Sequence, residues 1–97
     1  MPDDRATLTS QPGERDVVSD LATIRVILAQ HGRLSVDTNS LSETSDLYFA
    51  GLTSLATVNV MLALENHFDI EFPDSMLSRK TFASLESIAE AVAELAR

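Results

Sequence analysis

The chain has no cysteine and no tryptophan, only four phenylalanines and one tyrosine, and seven basic residues against fifteen acidic ones in 97 residues. Each shortage excludes something. Without Cys there is no disulfide, no thiolate metal site and no cysteine nucleophile. With so few rings, the limited core of a domain this small is mainly aliphatic. A net charge of −8 argues against nucleic acid and anionic membrane surfaces as partners, since both attract basic faces, and favours basic protein partners instead. The apolar stretches are short and interrupted, so no transmembrane segment is expected. Residues 1–16 are polar and acidic and lack the apolar core of a signal peptide, which makes a cytoplasmic location the default expectation. Catalytic equipment is equally scarce. The two histidines, His31 and His67, have no hydroxyl or acidic partner adjacent in sequence, and there is neither a phosphate-binding glycine loop nor a metal-ligand spacing. The chain is therefore not read as an enzyme.

What is present is helical periodicity. Residues 1–15 combine Pro2, Pro12, Gly13, hydroxyl side chains and mixed charges, and are expected to be a disordered leader, with one domain over residues 16–97. Asp16 or Ser19 can cap a first helix over residues 17–31. There Val17, Leu21, Ile24 and Leu28 recur at helical spacing, Val18 and Ile27 widen the stripe, and Gly32 is a plausible stop. His31 fits the role of a cation at that helix end. Residues 33–53 are rich in turn formers, but Leu34, Val36, Leu41, Leu47, Tyr48, Phe49 and Leu52 are spaced through them as expected anchors to the core. Ser40 and Glu43 could cap a short turn within this loop.

A second helix is predicted over residues 54–67, with Val58, Met61, Leu64 and Phe68, and likewise Val60 and Leu64, at helical spacing as its buried stripe. Leu55, Asn59, Leu62 and Asn66 form another line along it. If that line faces solvent, Leu55 and Leu62 are docking candidates; otherwise both join the core. Asp69 and Glu71 are read as a solvated face, since they lack the ligand count of a dedicated calcium site. Asp74 or Ser75 can cap a short helix through Met76, Leu77 and Ser78. Arg79 and Lys80 form the only adjacent basic pair, serving either internal pairing with nearby acids or contact with a phosphate or a partner. Ser84 and Ser87, with Glu86, open a last helix whose Leu85, Ile88, Val92 and Leu95 face inward and whose Glu86, Glu90 and Glu94 face water. The expected fold is all-α: a small antiparallel four-helix bundle of three long helices and one short one.

The element that organises the rest is Gly51-Leu52-Thr53-Ser54-Leu55. Gly51 permits a close backbone approach, and Thr53 and Ser54 are both N-cap types. Capping is the ordinary role for such a serine. A hydroxyl at a helix start is also a place where a phosphodiester is electrostatically favoured. The stretch Asp46-Leu47-Tyr48-Phe49-Ala50-Gly51-Leu52-Thr53-Ser54-Leu55, followed by Phe68-Asp69-Ile70-Glu71-Phe72-Pro73-Asp74, resembles the acyl carrier protein family. That family has an aspartate, a loop and a Gly-x-x-Ser-Leu element opening its second helix, then an acidic turn and Ile/Phe-Pro. The resemblance covers about residues 17–96. It implies that Ser54 carries 4'-phosphopantetheine, whose thiol holds a thioester-linked acyl or aminoacyl group, and that the Leu after the modified serine, here Leu55, meets partner enzymes.

Two departures stand out. Thr53 occupies a position where many relatives have Asp. Helix two has only Glu65 where fatty-acid carriers line it with acids, so contact near Ser54 is expected to be apolar. With Leu77, Arg79-Lys80 and Phe82-Ala83-Ser84, the pattern is similar to the bacterial aminoacyl carrier proteins. The implied partners are a phosphopantetheinyl transferase and an ATP-dependent amino acid:carrier protein ligase related to seryl-tRNA synthetase. Thr53, Leu55, Leu62, Arg79 and Lys80 are the candidate partner contacts. Alternatives are an acyl carrier for fatty-acid, lipid or polyketide assembly, and an unmodified helical interaction module.

Overall fold

Helical periodicity is realised as three α-helices joined by two long connections that contain short helical turns, in a computed structural model that describes residues 17–96. α1 spans Val17–Ile27, α2 Ser54–Phe68 and α3 Leu85–Leu95, and no described residue lies in a strand. The leader expected over residues 1–15, and Asp16 as a cap, lie outside the described residues. Ser19 is within α1 and so does not cap it.

On α1, Ile24, Ile27 and Leu28 are buried and Leu21 packs against them, as the spacing requires. The helix predicted through residue 31 changes character before its end. Leu28–Gly32 is a single π-helical turn, which keeps Leu28 inside and leaves Ala29, Gln30 and His31 exposed. Gly32 is not the left-handed stop. That conformation falls on Arg33, at φ 53 and ψ 42, at a cost of about 1 kcal/mol for a residue with a Cβ. α1 packs on α3, and the π-helical turn packs on α2.

The long connection from α1 to α2 is tied down by its own backbone. Arg25 donates from Nη1 to the Thr38 carbonyl at 2.6 Å. The short 3-10 turn Thr38–Ser40 is capped by Asp37, whose Oδ1 accepts from Asn39 N–H, so the turn starts three residues before the predicted Ser40. Ser35 N–H and Oγ both donate to the Ala50 carbonyl, and Leu47 N–H donates to that of Ala83 at 2.8 Å. These bonds answer where a buried loop's polar groups go. Leu47, Ala50 and Leu52 are buried and Leu34, Leu41 and Tyr48 are half-buried, whereas Val36 and Phe49, also expected as anchors, point outward. The turn over residues 46–51 is helical in pitch, so Leu47 and Ala50, three apart, share its inner face and Phe49 falls on the outer one.

The buried stripe of α2 is Ala56, Val60 and Leu64; Val60 and Leu64 are as predicted, Met61 and Phe68 are half-buried against the core, and of the predicted stripe only Val58 is exposed. α2 ends at Asp69, left-handed at φ 55, with its N–H on the Glu65 carbonyl. The short helix expected after Pro73 is one 3-10 turn, Asp74–Met76, with neither Asp74 nor Ser75 as a side-chain cap. α3 matches its expectation. Ser84 and Ser87 form a reciprocal capping box, Leu85, Ile88 and Val92 are buried, and Glu86, Glu90 and Glu94 are exposed. Phe72 and Phe82 close the core with ring centroids 5.4 Å apart. No described helix is long and apolar enough to cross a membrane.

Candidate functional site

The start of α2 is held by three local devices. Asp46 Oδ1 accepts the N–H groups of Tyr48 at 2.9 Å and Phe49 at 3.3 Å, which fixes the turn before the helix. Gly51 then takes φ +115, and a Cβ there would lie 3.0 Å from Ser35 N and 3.1 Å from Ser35 Oγ; the close approach read from the sequence is real. Finally Thr53 is the N-cap, its Oγ1 accepting from Ala56 N–H at 3.1 Å, while its carbonyl accepts from Thr57 N–H at 2.8 Å and Thr57 Oγ1 at 2.7 Å.

The consequence for Ser54 follows directly. It is the first helical residue, it is exposed, and the capping role read for either hydroxyl belongs to Thr53. The N–H groups of Ser54 and Leu55 precede the first backbone bond of the helix and point out of its mouth, where the positive end of the helix dipole lies. An exposed hydroxyl with no structural duty, beside donors suited to a phosphate, fits the attachment of a phosphodiester.

Ser54 lies in the wall of a groove of about 330 Å³ that it shares with Tyr48, Val58, Met61, Arg79 and Phe82. The Arg79 guanidinium sits 3.8 Å over the Tyr48 ring, and the Tyr48 hydroxyl donates to the Arg79 carbonyl at 2.9 Å. Burial raises the Tyr48 pKa; the Arg79 charge opposes that rise and Asp46 adds to it. Arg79 thus pairs within the chain with an aromatic face, where an acid was the expected partner.

The other predicted contacts divide. Leu55 is 75 % exposed beside Ser54, and Leu62 is 53 % exposed on the same outer line of α2 as the exposed Asn59 and Asn66. Leu62 lines a different groove, of about 570 Å³, with Ile27, His31 and His67. Lys80 is exposed but does not line the groove of Ser54. Glu65, the one acid of α2, is turned inward: its Oε2 accepts from Phe72 N–H at 2.8 Å. Among the described residues no three His, Asp or Glu side chains stand together as a metal site.

Sequence reasoning missed three residues. Phe49 is 91 % exposed, the most solvent-exposed large apolar side chain described; Val58 turns from the expected core to the groove, and Met61 lines the groove while packing on the core. The signal for Phe49 was available in Asp46, an Asx-turn former three residues earlier, which implies a helical turn and hence an outward Phe49.

Comparison with known proteins agrees with this geometry. Residues 22–92 match the family described as "Phosphopantetheine attachment site". The chain is 51 % identical over 71 residues to an aminoacyl carrier protein of Agrobacterium fabrum, spanning 73 % of this chain and 86 % of that one. It superposes with a TM-score of 0.76 on a crystal structure of an engineered Bradyrhizobium japonicum glycine:[carrier protein] ligase complexed with carrier protein from Agrobacterium tumefaciens and ATP; the match is 47 % identical and covers 78 % of this chain and 99 % of that one. A glycylated carrier protein in complex with the B. japonicum ligase is also similar, at 25 % identity and a TM-score of 0.66, covering 75 % of this chain and 97 % of that one. The chain belongs to the phosphopantetheine-binding carrier protein family, on its aminoacyl carrier branch.

Proposed function

We propose that Ser54 is the residue that bears the 4'-phosphopantetheine of this family member. The single observation that carries the assignment is an exposed serine at the first position of α2 whose capping duty is performed by its neighbour Thr53. A phosphopantetheinyl transferase installs the arm. An ATP-dependent amino acid:carrier protein ligase, related to seryl-tRNA synthetase, then charges its thiol with an amino acid. The similar carriers seen with a glycine ligase make glycine the first amino acid to try. Thioester chemistry belongs to the arm and ATP chemistry to the ligase; the protein supplies position. ATP-dependent loading puts the protein in the cytoplasm.

Partner contact falls on the rim around Ser54. Leu55 and the newly found Phe49 present the largest exposed apolar surface there, with Leu62 further along α2 and Thr53, Arg79 and Lys80 at the polar margin. With Glu65 engaged by Phe72, α2 has no free carboxylate to steer a basic enzyme, which supports docking through apolar contact.

The test is intact mass. Co-expression with a phosphopantetheinyl transferase should add one arm to the wild type and none to Ser54→Ala, and incubation with glycine, ATP and the ligase should add one glycyl group to the armed protein alone. A fatty-acyl adduct on protein isolated from its host would instead establish the acyl-carrier alternative.

A further inference from the structure

Arg79 has donors to spare. Its guanidinium carbon lies 3.8 Å over the centroid of the Tyr48 ring, and its carbonyl accepts the Tyr48 hydroxyl at 2.9 Å, so backbone and side chain are both held against one residue 31 positions away. Among the described residues none of its five N–H donors meets a hydrogen-bond acceptor, and no carboxylate pairs with it. The other polar groups nearby are engaged. Of the hydroxyls that line the groove with Ser54, Thr57 Oγ1 donates to the Thr53 carbonyl at 2.7 Å, and Ser78 Oγ shares a hydrogen bond with Thr81 Oγ1 at 3.3 Å. The charge of Asp46 is felt at Tyr48, as that of Arg79 is, but Asp46 Oδ1 accepts the N–H groups of Tyr48 and Phe49. Asp46 therefore weakens the pull of this region on an anion without occupying the Arg79 fork.

On the reading that Ser54 carries the arm, we propose that Arg79 is a positioning residue for it: the guanidinium receives the phosphodiester at the arm's root and sets the direction in which the arm leaves the protein. Ser54 and Arg79 line one groove of about 330 Å³, and the phosphorus would be bonded to Ser54 Oγ itself, so the anion forms on the wall of that groove. A planar fork of N–H groups matches the two non-bridging oxygens of a phosphodiester. An exposed ion pair usually gains little, because a long side chain must be ordered to make it. Here stacking on Tyr48 has ordered the side chain before any arm is attached. Lys80, exposed and outside the groove, offers a point charge and no fork. Because Arg79 is exposed, its pairing alters the bearing of the arm and leaves the stability of the fold nearly unchanged.

The test uses the carrier alone, so that no partner contact of Arg79 contributes. Full-length protein labelled with ¹⁵N is compared by NMR before and after a phosphopantetheinyl transferase installs the arm, and peptide mass spectrometry reads where the arm sits. Attachment should slow the exchange of Arg79 guanidinium protons with water about tenfold, as expected for a charge-assisted hydrogen bond on an exposed group, and should produce a coupling through the hydrogen bond between an Arg79 nitrogen and the arm's phosphorus. The ³¹P signal of the arm should move in Arg79→Gln, move less in Arg79→Lys, which keeps the charge without the fork, and stay in place in Lys80→Gln. Tyr48→Leu, which removes the platform and leaves Arg79, should lose the coupling. Circular dichroism checks the folding of each variant before attachment, and the wild-type coupling stands whatever the variants do. Arg79 protons unchanged by attachment, or a ³¹P signal moved equally by Arg79→Gln and Lys80→Gln, would overturn the positioning role while peptide mass still finds the arm on Ser54. Absence of any arm on Ser54 would overturn the attachment assignment itself, so the two failures are distinguishable.

Discussion

α2 and α3 have comparable apolar content and opposite outer faces. α3 buries Leu85, Ile88 and Val92 and shows water Glu86, Glu90 and Glu94, the division expected of a helix whose work is packing. α2 buries Ala56, Val60 and Leu64, shows water Leu55, Val58 and Leu62, and turns its one acid inward onto Phe72. Exposing that much hydrocarbon without charge gives the fold nothing. On the proposed function, it is the face that a partner enzyme or the arm itself covers. The two helices thus separate support from presentation, and the presenting one starts at Ser54.

The sharpest break in this comparison comes from Ser54→Ala. It should abolish uptake of the arm while changing unfolding free energy by less than about 0.5 kcal/mol, since Thr53 keeps the cap; mass spectrometry and urea melts read the two quantities. Next in size, truncation on the inner face of α2 should behave like truncation on α3. Leu64→Ala and Ile88→Ala each cost about 2–5 kcal/mol, against less than about 0.5 for Leu62→Ala, and equal losses at Leu62 and Leu64 would erase the two-faced description of α2. Docking comes third. Leu55→Asp and Phe49→Ser should each lower kcat/KM for ligase loading about tenfold with stability unchanged, a typical effect for an apolar interface residue, and wild-type loading rates in both variants would remove these residues from the interface. The smallest effect belongs to the cap: Thr53→Ala should cost about 1 kcal/mol and leave arm attachment possible.

Legibility in the sequence follows the same division. α3 could be read because it has one apolar stripe and carboxylates opposite, and the Ser84 and Ser87 pair announced its capping box; α1 could be read on Leu21, Ile24 and Leu28, although its outer face also carries Val26. α2 could be recognised as a helix but not oriented. Its apolar residues fall on more than one line, so the period selects no unique face, and the larger Val58 outweighed Ala56, which in fact joins the expected Val60 and Leu64 inside. The π-helical turn left no trace in the pattern, and it moved the left-handed residue from Gly32 to Arg33. At the start of α2, Gly51 makes the close approach the sequence implied, Thr53 takes the cap left open between two hydroxyls, and Ser54 and Leu55 are exposed; Leu62 is exposed too but lines a different groove. The groove beside Ser54 was not legible, because it depends on Tyr48 and Arg79 meeting across 31 positions of chain, which no local spacing reports.

Two adjacent hydroxyls, Thr53 on the helix and Ser54 on the outside, have a thermodynamic consequence. On the proposed assignment, attachment at Ser54 consumes no bond that the helix start relies on, so the bare and armed forms should unfold with nearly the same free energy. By reciprocity, softening the core elsewhere then leaves the tether's readiness unchanged as long as the first turn of α2 persists. Mutational drift in the packing residues and selection on the attachment serine can proceed independently.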